Sequence, residues 1–303
     1  MKNIKTNVWL ITIFAGIAGG TIPAFSKIAL ETINSATFTM LRYIITVVSL
    51  VLFAVIIKQK IDYKKVIKVF PVSVLAAVNA ICFAIGIQYV SAASVQLIYT
   101  IVPILVVLFS WVIFHQKTNL SIFFGVLLGF SGVIIVALAP VISKGGTLSF
   151  NLFGTSMIFL GAVSFALFSV LSKGAQQKAT PNEILMGTAF ATLVSQFVLL
   201  LVTNTSFNVS NISFSSLGAT LVVGVIGTAL FYWVYQYTVK ISTPLLASVI
   251  LYVMPFFGAL WAYIVLGELI LPIAIIGGIL AIIGAAQVNG VWRQLYSYFT
   301  NRK

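Results

Sequence analysis

Side chains able to do chemistry are scarce in this sequence. The acids are Glu31, Asp62, Glu183 and Glu268, all expected at or beyond helix ends, and His115 and Cys82 are the lone histidine and cysteine. No carboxylate falls mid-span, where proton-coupled exporters of cations usually keep a shared proton and cation site. No Walker A motif offers ATP drive. No metal-ligand or nucleophile–base constellation exists either, so an enzyme is poorly supported and neither a metal nor a cofactor is expected. Cys82 lies alone in an apolar run and reads as a small packing residue.

The remaining polar chemistry is that of recognition. Amides, hydroxyls and aromatics gather on particular faces: Asn79, Phe83 and Gly86; Gln96, Tyr99 and Pro103; Ser164 and Phe168; Thr228, Tyr232, Tyr235 and Gln236; Tyr252, Pro255 and Ala259. Such groups avoid lipid and should look inward. An aromatic-lined cavity with a few hydrogen-bonding groups suits a small amphipathic organic molecule. On this reading Tyr99 and Tyr252 stack on or hydrogen-bond the cargo, and Asn79, Gln96 and Gln236 orient its polar end. Taken singly, each is more often an interhelical hydrogen bond; their convergence argues for a cavity.

Two cations need separate weighing. Arg42 lies about eight residues into a helix, or about 12 Å from its end at ~1.5 Å per residue. An unpaired charge at the membrane centre costs about 2.5–3.5 kcal/mol, so Arg42 should be paired or face water. Two readings stay open. Glu31, Lys27 and Arg42 form a cluster that staples the first two helices near the outer face, or one cation greets a substrate carboxylate or phosphate.

The elements that position these residues are set by composition. Hydrophobic residues make up 61% of the 303 and charged residues 7%, with a mean hydropathy of +1.16. Continuous apolar runs of about 20 residues are long enough to span a bilayer as helices. Ten are expected, near 8–29, 34–57, 69–90, 92–114, 119–139, 152–173, 182–203, 215–239, 243–266 and 270–290. The net charge of +13 would suit a nucleic acid, but its distribution does not. With the N-terminus inside, Lys2, Lys5, Lys58, Lys60, Lys64, Lys65, Lys68, Lys117, Lys173, Lys178, Lys240, Arg293, Arg302 and Lys303 all fall on the cytoplasmic side. That is the positive-inside bias, with both termini cytoplasmic. The expectation is an all-α polytopic protein of the plasma (inner) membrane with the lipid bilayer and a small molecule as partners. Self-association is left open.

The chain also repeats itself. An offset of 152 carries Pro103 onto Pro255, Gly125 onto Gly277 and Gly132 onto Gly284; Ser26-Lys27 matches Ser172-Lys173 at 146. The units read as 1–139 and 152–290, separated by a loop at 140–151 and followed by a cytoplasmic tail at 291–303. Five helices per unit is an odd number, so the second unit is inverted. Two such halves can rock about a midplane site, giving alternating access. Pro23 follows Gly16 and Gly20 on one face with Lys27 and makes a hinge candidate, and Pro103 and Pro255 are expected to bend their helices for gating. Gly125, Gly129 and Gly132, and likewise Gly277, Ala281 and Gly284, form small-residue faces for helix packing.

Several segments together resemble the drug/metabolite transporter superfamily, specifically its EamA family. They are GTIPAFSK from Gly20, TFTMLRYI around Arg42, SAASVQLIYTIVP, and STPLLASVILYVMPFFGALWAYIVLGE in the second half. The resemblance covers essentially the whole chain. It implies ten helices in two inverted five-helix repeats around a central cavity, and cargo such as amino acids, their derivatives or other small metabolites, often moved outwards. Two departures stand out: His115-Gln116 replaces the Gly-Glu seen at Gly267-Glu268, and Thr188 stands where Arg42 stands in the first half. The reading is a metabolite exporter whose cavity is formed by helices 1, 3, 4, 6, 8 and 9. The alternatives are a carrier of nucleotide-like or other anionic metabolites, held by Lys27 and Arg42, and a non-transporting membrane scaffold.

Overall fold

The computed structural model describes residues 2–86, 89–90, 95, 98–116, 119–144, 151–203, 207 and 212–291. These form helices and their connections: α1 Lys2–Ala29, α2 Ser35–Ile56, α3 Tyr63–Gly86, α4 Val102–Phe114, α5 Leu120–Lys144, α6 Leu152–Ala175, α7 Pro181–Thr203, α8 Phe214–Ile241, α9 Pro244–Leu266 and α10 Pro272–Val288. No strand occurs among the described residues. Eight helices are long and apolar enough to cross a membrane, and α4 and α10 are shorter apolar helices. Large apolar side chains such as Leu52, Phe124 and Leu201 stay exposed on their outer faces, as a lipid-facing surface requires.

Local chemistry sets the helix ends. Asn34, Asn151, Ser213 and Thr243 each accept a hydrogen bond from the backbone N–H three residues on, in N-caps that satisfy otherwise orphaned donors. Thr180 and Glu183 form a reciprocal capping box before α7: the Glu183 carboxylate accepts from the Thr180 N–H (2.8 Å), and the Thr180 hydroxyl accepts from the Glu183 N–H (3.3 Å). The other carboxylate oxygen of Glu183 accepts from the Asp62 N–H at 3.1 Å, and Gln59 donates to Thr180 at 2.8 Å. The loop between α2 and α3 is thereby tied to the start of α7.

Three expectations need correction. α3 begins at Tyr63 rather than near 69, because Asp62 accepts from the Lys64 N–H and starts the helix early. α5 continues to Lys144, past the expected end at 139. The chain turns at Thr100 and Ile101, so Pro103 sits in the first turn of α4 and bends nothing. A missing N–H is tolerated there. Pro255 does lie inside its helix, as do Pro23 and Pro71.

Helix pairing follows the repeat. Matching α1–α5 with α6–α10, the contact of α1 with α9 has its twin in α6 with α4. That of α1 with α8 has its twin in α6 with α3, and that of α2 with α8 in α7 with α3; α2–α7 and α5–α10 are their own twins. This is the pairing of a two-fold pseudosymmetric molecule. The α5–α10 seam runs antiparallel: Gly125 faces Val288, Gly129 faces Gly284, and Gly132 faces Gly277 and Ala281. A Cβ on Gly277 would stand 2.7 Å from the Gly132 carbonyl oxygen, so only small residues permit this approach. Twin helices running in opposite directions are the geometry of inverted repeats.

Candidate functional site

Arg42 projects from the middle of α2 and is half-buried. Its Nε donates to the Thr228 hydroxyl at 2.6 Å, and its guanidinium lies 5.7 Å from the Tyr43 ring centroid. Thr228 in turn donates to the Val223 carbonyl at 2.7 Å, five residues back. That spacing belongs to a π-helical stretch, Val223–Leu230, in the middle of α8. π segments inside α-helices are rare and concentrate at functional sites. Glycines let this stretch sit between its neighbours: Gly224 lies against Ile45 of α2, and Gly227 against Thr21 and Ile22 of α1.

Beside Thr228 is a small void of about 10 Å³, lined by Tyr43, Thr46, Ala76, Leu185, Thr188, Ala189, Thr228 and Tyr232. It has room for roughly one water molecule. Five hydroxyls border it, and its walls come from α2, α3, α7 and α8. These are two twin pairs, so the void sits near the pseudo-two-fold axis. The sequence pointed instead to helices 1, 3, 4, 6, 8 and 9, and missed Tyr43, Thr46 and Thr188. The spacing held a signal: Thr46 lies one helical turn from Arg42, and Thr188 is Arg42's counterpart in the second half. A larger groove of about 370 Å³ lies between α4 and α5, lined by apolar residues such as Ile104, Phe123 and Leu127 with Asn119.

Thr228 and Tyr232 are thus brought together at the void. A second group of expected residues meets nearby, between α3, α6 and the residues before α4. Asn79 donates to the Tyr99 hydroxyl (2.6 Å) and to the Gly161 carbonyl (2.9 Å), and the Phe83 ring packs edge-on against Tyr99 at 5.9 Å. Gln96 lies outside the described residues.

The other expected contacts are made within the protein. Ser164 donates to the Leu75 carbonyl at 2.7 Å and ties α6 to α3. Phe168 is fully buried in the main core with Phe165, Phe231 and Tyr235. Gln236 is fully buried and accepts from Gln176 at 2.9 Å. Tyr252 is fully buried against Gly129 of α5, away from Tyr99. The reason is the turn: Tyr99 precedes the one at Thr100 and Ile101, whereas Tyr252 follows the one at Val249 and lies inside the helix that continues from Ile250.

The charged residues also differ from expectation. α1 ends at Ala29, so Glu31 is not one helical turn from Lys27 and stands exposed in the following turn. Lys27 pairs instead with Glu268 at 2.7 Å, across the two halves. Gly16, Gly20 and Pro23 lead to this pair along the α1–α9 seam. Gly20 abuts Phe257 and Gly258, Pro23 packs on Gly258, and Trp261 donates to the Ile17 carbonyl at 3.0 Å. Lys173, the counterpart of Lys27, meets no acid and donates to the carbonyls of Val239, Lys240 and Ser242. The backbone of the two units is conserved in one detail: Gly267 (φ 67°) and His115 (φ 52°) both end their helices left-handed.

A two-fold pseudosymmetric molecule, helical throughout its described residues and with an apolar outer face, defines a multi-span membrane protein. The model of the EamA-like transporter family matches residues 6–138 and 152–290, and the chain belongs to that family, whose members are membrane transporters of small solutes rather than enzymes. A solved structure described only as "Crystal structure of protein" superposes with a TM-score of 0.79 at 17% identity, covering 96% of this chain and 99% of its own. That likeness concerns the fold. A comparison with curated proteins finds no match.

Proposed function

We propose that the protein is a secondary transporter of the plasma membrane, exporting amino acids, their derivatives or similar small metabolites by alternating access. Ten helices cross the bilayer in this reading, with both termini in the cytoplasm. One observation carries it: a hydroxyl-lined void sits where the twin helices α2, α7 and α3, α8 meet. A site on the pseudo-two-fold axis can be exposed to either side by rocking one unit against the other. The ends of the molecule are unequal in a way that fits an inward-leaning conformer. The α1–α9 seam is zipped to its outer end by Lys27 and Glu268. By contrast, α4 stands off α5 across the groove.

Flux in proteoliposomes tests this. Purified protein should accelerate movement of some labelled members of an amino-acid and amino-acid-derivative panel. Narrowing the void with Ala189→Val should lower the flux while leaving the protein monodisperse. Absence of flux for the whole panel overturns the transporter reading in favour of a scaffold.

A further inference from the structure

We infer that the site takes small carboxylates of net charge −1 whose nitrogen, if present, is acylated: N-acyl amino acids and related monocarboxylates, rather than free amino acids or nucleotides. The inference rests on the void being the transport site.

Charge balance carries it. All four acids of the chain are accounted for elsewhere. Glu268 pairs with Lys27, Glu183 and Asp62 cap helices at the other end, and Glu31 is exposed in a turn. Among the described residues Arg42 therefore has no carboxylate partner. Its Nε is bound to Thr228, which leaves the terminal N–H groups of the guanidinium fork to offer. A planar fork is suited to a carboxylate. One anionic cargo group neutralises Arg42. A nucleotide brings at least two negative charges, and Lys27, the second cation invoked for such a cargo, is occupied by Glu268. A zwitterion leaves its ammonium uncompensated at membrane depth, which is unfavourable.

The threonines specify the rest. Thr46 donates to the Arg42 and Gly224 carbonyls, Thr188 to the Ile184 carbonyl and Thr228 to the Val223 carbonyl. Their hydroxyl protons are committed to the helices, so the Thr46 and Thr188 oxygens keep lone pairs to offer at the void, while the Thr228 oxygen already accepts from Arg42. Neutral acceptors suit an amide N–H, which needs a hydrogen bond but no countercharge.

The test is a thermal-shift and flux comparison on the detergent-purified full chain. The probes are N-acetylphenylalanine, phenylalanine, N-acetylphenylalanine amide, phenylalanine methyl ester and uridine monophosphate, with the corresponding alanine series. A ligand that binds only the folded state raises its melting temperature. The N-acetyl acids should bind at least tenfold more tightly than the zwitterion, neutral amide, ester or nucleotide. Arg42→Lys should retain that preference and Arg42→Gln should lose it. The wild-type comparison stands alone if either variant fails to fold. Equal or tighter binding of zwitterion or nucleotide, no binding by any probe, or a preference that survives Arg42→Gln overturns the inference. Flux of free amino acids alone sinks the inference and leaves the transporter reading standing. Binding of N-acetyl acids without flux of any solute does the reverse.

Discussion

Lys27 Nζ lies 2.7 Å from Glu268 Oε1, and this ion pair joins the end of the first helix of one unit to the end of the fourth helix of the other. Both side chains are well exposed, at 66% and 49%, so solvent screens the pair and it contributes about 0.2–1 kcal/mol. Glu268→Gln should leave the melting temperature almost unchanged. The same small energy biases opening of the seam about 1.4- to fivefold. A cysteine at Phe257, in a Cys82→Ala background, should react correspondingly faster with an impermeant thiol reagent in Glu268→Gln. High salt should mimic the substitution. Equal labelling rates would show that the pair does not hold the seam.

The two tyrosines near the prolines should separate cleanly. Tyr99→Phe removes the hydroxyl that accepts from Asn79 and should cost about 0.5–1.5 kcal/mol. The Tyr252 hydroxyl is buried with no partner among the described residues, so Tyr252→Phe removes an unsatisfied polar group and should be neutral or stabilising, by up to about 1–3 kcal/mol. Chemical or thermal unfolding of the two variants decides, and a larger cost for Tyr252→Phe would contradict the geometry.

Glycines give an internal contrast. A Cβ on Gly284 collides with the backbone of Gly129, whereas a Cβ on Gly218 meets nothing within 4 Å. Gly284→Ala should destabilise by about 1–3 kcal/mol as α5 and α10 are forced apart. Gly218→Ala, at a half-buried position in the first turns of α8, should stabilise by about 0.5–1 kcal/mol through the unfolded chain and helix propensity. Melting temperatures in one detergent compare them directly; the same sign for both would reject the close-packed seam.

The capping box is the fourth test. Glu183 is almost fully buried and accepts from Thr180 and Asp62. Glu183→Ala should cost at least about 1 kcal/mol and speed proteolysis of the α2–α3 loop. Glu183→Gln should recover part of the loss, because its amide oxygen still accepts. Identical melting curves for wild type and Glu183→Ala would discount the cap.

Much of the scaffold is legible in the sequence because lipid imposes one rule on every span. Apolar runs located the helices, and the shared spacing of Gly125, Gly132, Gly277 and Gly284 marked the α5–α10 seam. The centre was harder to read. Aromatic-plus-amide faces drew attention to α4 and α9, yet Tyr252 lies in the core because it follows the turn at Val249, while Tyr99 precedes the one at Thr100 and Ile101. Tyr43 and Thr46 were overlooked because a hydroxyl on an apolar helix looks the same whether it bonds its own backbone or borders a void. The Lys27–Glu268 pair joins residues 241 positions apart, and nothing local predicts which acid a lysine will find.

The π-helical stretch has a kinematic consequence. It holds about one residue more than an α-helix of equal length. That surplus can travel along α8 as a wrinkle travels along a carpet, leaving both ends anchored. Every residue it passes is turned by about 100°. Thr228 lies inside the surplus and Tyr232 just beyond it. A wrinkle moving toward Ile241 would swing Thr228 off Arg42 and reorient Tyr232 in one stroke.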